Sequence, residues 1–171
     1  MNKLLVGILI AGLLAGCATM GGGGPSATAQ LQPTRGNNVT GTATFTQKGD
    51  KVVVAAKVSG LKPNQEHGFH VHEKGDCSSG DGMSTGGHYN PAGKPHGSQV
   101  AEHHAGDMPS LTADAYGNAS ASFELKGVSI TGGANDLVGH GLIVHRDPDD
   151  YKTQPTGNAG PRIACGVIAK S

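Results

Sequence analysis

Apolar and polar residues alternate along most of the chain. VTGTATFT at 39–46 sets Val39, Gly41, Ala43 and Phe45 on one face, and KVVVAAKV at 51–58 sets Val52, Val54, Ala56 and Val58 together. A period of two predicts half-buried strands. FHVH at 69–72, ASASFEL at 119–125, GLIVH at 141–145 and IACGVIA at 163–169 are read the same way. KGD at 48–50 and DAYGN at 114–118 carry the residues of tight turns. No stretch shows a capped helical stripe, and no internal repeat is visible. With 29 glycines and only 15% charged residues, the composition points to short strands and turn-rich loops, not a helical bundle. Two segments, 73–110 and 146–162, are long, polar and rich in Gly and Pro. Loops of that length in a compact domain are functional or disordered. Both carry metal-ligating residue types, so they are taken as functional.

The N-terminus changes the picture of where the chain works. Asn2 and Lys3 precede LLVGILIAGLL, followed by Ala15, Gly16 and Cys17. A charged start, a short apolar run and small residues form a secretory signal, and the run is short for a membrane span. LAGC at 14–17 resembles the lipobox of bacterial lipoproteins. That resemblance implies cleavage after residue 16 and lipid on Cys17; an ordinary cleaved signal is the plainer alternative. Residues 1–16 are then a signal peptide and 17–38 a lipidated cysteine with a flexible Gly/Ser/Thr/Pro-rich linker, with the folded domain at 39–171. With Ala18 rather than Asp after the cysteine, the same lipoprotein resemblance implies the outer membrane, with the domain on the periplasmic side of the envelope. Cleavage removes Lys3, the one charged side chain in 1–16, and leaves 12 basic and 13 acidic residues. Nothing in that balance suits nucleic acid. Beyond Cys17 two cysteines remain, Cys77 and Cys165; in an exported chain they form a disulfide or, less simply, stay as two free thiols. The N-x-[ST] triplets at Asn38 and Asn118 are read as chance.

Nine histidines against three phenylalanines need a chemical reason. On a strand His70 and His72 share one face, with Phe69 and Val71 on the other. Such a pair alone is as often two surface histidines as half a metal site. His88 in GGHYNP, His96 in KPHG, HHAGD at 103–107 with Asp107, and His145 at the end of GLIVH raise the weight. Loop residues can bend His88, His96, one histidine of the HH pair and Asp107 around one ion. Three histidines and a carboxylate suit tetrahedral zinc; four histidines suit copper.

HGFHVHEKGD, GGHYNP, HAGD, VHRDPDD and GNAGPRIACGVI, in that order, resemble the signatures of the copper/zinc superoxide dismutases across 39–171. The resemblance implies an all-β, eight-stranded antiparallel Greek-key barrel or sandwich with long metal-binding and active-site loops. It implies an enzyme that converts superoxide to dioxygen and hydrogen peroxide with Cu and Zn as cofactors. Its copper ligands correspond to His70, His72, His88 and His145, and its zinc ligands to His88, His96, His104 and Asp107. His88 bridges both metals and supplies a proton. His104 is preferred to His103 because the motif sets the histidine three residues before the aspartate. Asp149 corresponds to the carboxylate that orients His70 and His96. Asp147 and Asp150 are read as solvated, and His67 and His140 as structural. Cys77–Cys165 corresponds to the family disulfide and Arg162 to its anion-guiding arginine.

One departure concerns steering of the substrate. The family's electrostatic-loop lysine falls by spacing on Pro155, and Lys152, Lys74 and Lys94 are the substitutes the sequence offers. The rival reading is a copper-binding or copper-buffering envelope lipoprotein on the same scaffold; the full ligand set with Arg162 favours the enzyme. A structural zinc domain leaves His70, His72 and His145 without a role. Monomer and homodimer both stay open.

Overall fold

The computed structural model describes residues 24–171. Residues 1–16 and Cys17, read above as signal and lipid site, lie outside the described residues. Ten strands follow in order: β1 Ser26–Pro33, β2 Thr40–Lys48, β3 Lys51–Ser59, β4 Glu66–His67, β5 Phe69–His72, β6 Leu111–Thr112, β7 Ala119–Lys126, β8 Gly141–His145, β9 Arg162–Val167 and β10 Ala169–Lys170. The main sheet runs β5-β8-β9-β1-β2-β3-β7, with β10 on β1, and β4 and β6 form a separate pair. Every strand pair is antiparallel. The all-β Greek-key expectation agrees with this curled sheet.

The curl has a local origin in β1. On one side β1 pairs with β2 from Ser26 to Leu31. On the other it pairs first with β10, through Ala27 and Thr28, and then with β9, through Gln32 and Pro33. A strand that changes partner along its length turns a corner in the sheet. The flexible-linker assignment for 17–38 is therefore corrected from residue 26 onward. SATAQLQP buries Ala27, Ala29 and Leu31. Two of these three inward positions are only methyl groups, so the segment shows little hydrophobic contrast even though it is interior.

The expected period holds elsewhere. Ala43 and Phe45 of β2 and Val52, Val54, Ala56 and Val58 of β3 face the core. The β2–β3 hairpin closes through Gly49, whose φ of 60° suits glycine. β5 and β8 depart from alternation, because every residue in them is buried. Phe69, Val71, Leu142 and Val144 fill the apolar core, and the opposite face of β5 lies under the 73–110 and 146–161 loops. That second buried face carries His70 and His72.

A chain begun at Val39 lacks the strand joining β2 to β9. It is expected to lose the cooperative urea transition, followed by far-UV circular dichroism, that is expected of the chain from Gly24. An unchanged transition midpoint would show β1 to be dispensable.

Candidate metal centre

The site is built on the free edge of β5. β8 covers one edge, with His70 opposite Ile143 and His72 opposite Gly141. The 73–110 loop folds back along the other. His72 pairs with His88 and His70 with Asp107 as isolated bridges. Val71 N–H donates to Gly106 O at 2.9 Å, Tyr89 N–H to Val71 O at 2.9 Å, and Gly106 N–H to Tyr89 O at 2.8 Å. Backbone pairing thus carries His88 and Asp107 to the strand that holds His70 and His72. Gly106 is required, because a Cβ there would overlap the Val71 carbonyl. His145 arrives from β8 at a bulge between Val144 and His145.

Two clusters result. His70, His72, His88 and His145 form one and His88, His96, His104 and Asp107 the other; within each, one ligand atom per residue lies within 4.8 Å of all the rest. All seven side chains are buried. In the first cluster the outer ring nitrogens are spoken for. His72 Nδ1 donates to Gly86 O at 3.0 Å and His145 Nδ1 to Gly160 O at 3.0 Å. Their Nε2 atoms, left as lone pairs, stand 3.4 Å apart. His70 Nε2 donates to Asp149 Oδ2 at 2.7 Å, which leaves Nδ1 without a partner. His88 Nε2 is likewise buried and unpartnered. Buried lone pairs turned on one another, with no donor among them, are the arrangement a cation satisfies.

The second cluster turns on one carboxylate oxygen. Asp107 Oδ1 faces Nδ1 of His88, His96 and His104 at 2.8, 3.0 and 3.3 Å. One oxygen has too few lone pairs for three good donors, and a dication among the four groups removes the conflict. Asp107 Oδ2 is fixed by the backbone N–H groups of Gly97 and His104. The donor sets fit the two metals: four imidazoles suit copper, and three imidazoles with one carboxylate suit zinc.

Asp149 joins the halves. Its Oδ2 accepts from His70 and its Oδ1 from His96 Nε2 at 2.9 Å, while Tyr151 N–H donates to Oδ1 at 2.7 Å. Gly157 packs so close that a Cβ would overlap the Asp149 carboxylate. Gln154 clasps the His96 backbone, its Oε1 accepting from N–H at 2.8 Å and its Nε2 donating to the carbonyl at 2.9 Å.

Burial tunes the groups differently. Desolvation lowers His70 to about 4, against the pull of Asp149. Burial and neighbouring imidazoles hold His72 and His145 well below the ordinary histidine value. His70, His72 and His145 are therefore neutral and able to ligate at physiological pH. Burial alone would also lower His96, but hydrogen bonds to Asp107 and Asp149 raise it to about 9. Burial alone would raise both carboxyls; histidine hydrogen bonds reverse this and hold Asp107 and Asp149 below the usual carboxylate range.

Arg162 opens β9 and is half-buried by loop backbone. Nη1 donates to Gly82 O at 2.7 Å and Thr85 Oγ1 at 2.9 Å, and Nη2 to Gly86 O at 2.7 Å. Gly86 O is also the acceptor of His72, so one carbonyl ties the arginine to the histidine cluster. Cys77 and Cys165 are disulfide-bonded, fastening the same loop to β9.

The remaining residues fall outside the clusters. His103 Nδ1 donates to the His104 carbonyl. His67 is buried and donates from Nδ1 to His145 O at 2.9 Å. His140 precedes β8; it packs on Tyr89 and donates to Glu73 O. Asp147 pairs with Arg146, and Asp150 accepts from the Thr153 hydroxyl. Lys94 lies 3.9 Å from Glu102, and Lys74 and Lys152 are exposed. Sequence reasoning missed Gln154 and Arg35. Arg35 lines one hollow with Arg162 and Asp81, and it was hidden in the segment read as linker. Gln154 carries no sequence signal, since an amide in a polar loop is unremarkable.

An antiparallel β-protein with two histidine clusters sharing one imidazole is a dinuclear metalloprotein scaffold. The chain belongs to the copper/zinc superoxide dismutase family, whose model matches residues 39–168. It is 41% identical over 145 residues to superoxide dismutase [Cu-Zn] 2 of Aquifex aeolicus (strain VF5), covering 82% of this chain and 84% of that one. Among solved structures it resembles a double mutant of a SOD-like protein from Bacillus subtilis, with a TM-score of 0.75, 35% identity, and 83% and 96% of the two chains covered. It also resembles the clock protein EA4, with a TM-score of 0.76, 38% identity, and 84% and 93% covered.

The metal-free protein carries a charged His96 at neutral pH, because both ring nitrogens face carboxylates. This cation stabilises the metal-free fold fully below the ordinary value of 6.5, and the contribution is lost as pH rises through about 9. Metal uptake at the His96 cluster is expected to release about one proton at pH 7, and affinity should climb with pH towards 9. Calorimetry in buffers of different ionisation enthalpy measures this; proton-neutral, pH-independent uptake contradicts it.

Proposed function

We propose that the two clusters serve as the metal sites of a superoxide dismutase, with the copper set His70 Nδ1, His72 Nε2, His88 Nε2 and His145 Nε2. The zinc set is His88 Nδ1, His96 Nδ1, His104 Nδ1 and Asp107 Oδ1. The observation that carries this is His88, a member of both clusters, whose Nδ1 faces Asp107 and His104 while its Nε2 is buried without a partner. The overall reaction takes two superoxide ions and two protons to dioxygen and hydrogen peroxide. Copper, when bound, supplies the one-electron redox change, and zinc supplies a fixed charge without redox chemistry.

The chain's own groups do the rest. Asp149 orients His70 and His96 through their outer nitrogens. His88, in contact with both sets, is placed to hold and return a proton at Nε2. The hydrogen-bond partners of Arg162 are all neutral oxygens, so they leave its charge uncancelled. A fixed guanidinium beside the His72 anchor attracts a small anion and guides it inward. His88→Ala, loaded with copper and zinc, is expected to lose superoxide removal by at least about tenfold, the effect of disturbing even residues that only support ligands. Stoichiometric metal in the unaltered protein with no activity above free copper would favour copper buffering instead.

The envelope placement is part of the same reading: residues 1–16 are removed, Cys17 carries lipid, and the domain sits on the periplasmic side, at the outer membrane. The Cys77–Cys165 disulfide supports an oxidising compartment. Cys17→Ser is expected to shift the expressed protein from the detergent phase to the aqueous phase in a phase-partition assay. Equal partition of both forms would overturn the anchor.

A further inference from the structure

The anchor reading acquires a direction once β1 is known to begin at Ser26. Six residues, 18–23, separate Cys17 from Gly24. Fully extended, that stretch reaches at most about 25 Å. The tether is thus far shorter than a linker to residue 38 would be, and it leaves from one defined end of the sheet. Pro25 O accepts from Gln47 N–H at 2.9 Å, which sets the departure point one residue from Lys48.

That end is basic. Lys48 pairs in register with Lys51, and Lys51 with Lys126. Across β1, Ala27 pairs with Lys170. Four lysines therefore ring the point where the tether leaves, on adjacent strands about 4.8 Å apart. Lys48, Lys126 and Lys170 are exposed. Asp50 lies on the turn between Lys48 and Lys51, and Glu124 is paired to Lys51 at 2.7 Å.

The opposite end of β1 holds the arginine. Thr34 N–H donates to Ile163 O, and the Thr34 hydroxyl donates to Arg162 O at 2.8 Å. Eight residues of strand set the two ends roughly 26 Å apart.

We propose that the lysine-bearing end of the sheet is a docking face for anionic phospholipid headgroups, so that the anchored domain stands with Arg162 turned towards the aqueous space. This rests on the lipid anchor at Cys17. A short tether keeps the lysine rim close to the surface, and the rim's charge favours contact with the headgroups. The arrangement also holds the substrate-guiding arginine away from a negatively charged surface that repels the same anion.

The test uses the full mature chain, purified from membranes and reconstituted in phosphatidylethanolamine–phosphatidylglycerol vesicles, beside the Cys17→Ser chain with the same vesicles. Amine acylation rates are read lysine by lysine by mass spectrometry. Lys48, Lys51, Lys126 and Lys170 are expected to label at least about threefold more slowly in the anchored chain, consistent with shielding at a lipid surface. Lys57 and Lys62, towards the other end, are expected to label equally in both. An acylated N-terminal peptide with equal labelling at all six lysines overturns the docking face and leaves the anchor standing. An N-terminal peptide without acyl mass overturns both.

Discussion

The four residues Phe69–His72 are buried on both faces, and the rest of the structure answers to that. Phe69 and Val71 need only an apolar core, which the curled sheet supplies. His70 and His72 need much more. A buried imidazole has two nitrogens to satisfy, and a polar atom left unpaired costs about 1–3 kcal/mol. The loops therefore bring acceptors to the outer nitrogens, the Gly86 carbonyl for His72 and Asp149 for His70. The inner lone pairs are turned towards His88 and His145, where only a cation satisfies them all. Covering a histidine face with loops is thus both the folding problem of this strand and the construction of its metal site.

The same economy explains the clamp around Gly82–Gly86. This loop is held to β9 twice, by the Cys77–Cys165 disulfide and by the Arg162 guanidinium. Because Gly86 O accepts from both Arg162 and His72, the position of the arginine relative to the histidine cluster is set by one carbonyl. An arginine bonded to neutral carbonyl and hydroxyl oxygens keeps its charge, whereas a carboxylate hydrogen-bond partner would have cancelled it. Near-zero net charge is therefore compatible with a local field that attracts an anion, since only the groups at the entrance set that field.

Strands with large β-branched residues on one face were legible in the sequence, as in Val52, Val54 and Val58. So was the histidine pair of β5, since a period of two sends both rings one way. β1 was not legible. Its inward side chains Ala27 and Ala29 are too small to stand out against Ser, Thr and Gln, and its burial comes from β2, β9 and β10, all distant in sequence. Arg35 was lost with it. The pairing of residues 88–89 and 106–107 with β5 was equally hidden, because it joins loop backbone to a strand edge and has no hydrophobic period to betray it. The residue types of the clusters could be read; the way backbone delivers them could not.

The charges inside the site show why it is poised for dications. In the metal-free chain His96 is a cation between two carboxylates, Asp107 and Asp149, while His70, His72 and His145 are neutral. Those three charged groups leave a buried excess of negative charge, an unfavourable state in a medium of low dielectric. A proton on His96 offsets only half of that charge. It also ties Asp149 Oδ1 to the His96 half while Oδ2 holds His70. Any change in the charge around His96 is therefore felt through one carboxylate by the hydrogen bond that orients His70. The two clusters are coupled by Asp149 as well as by the imidazole of His88.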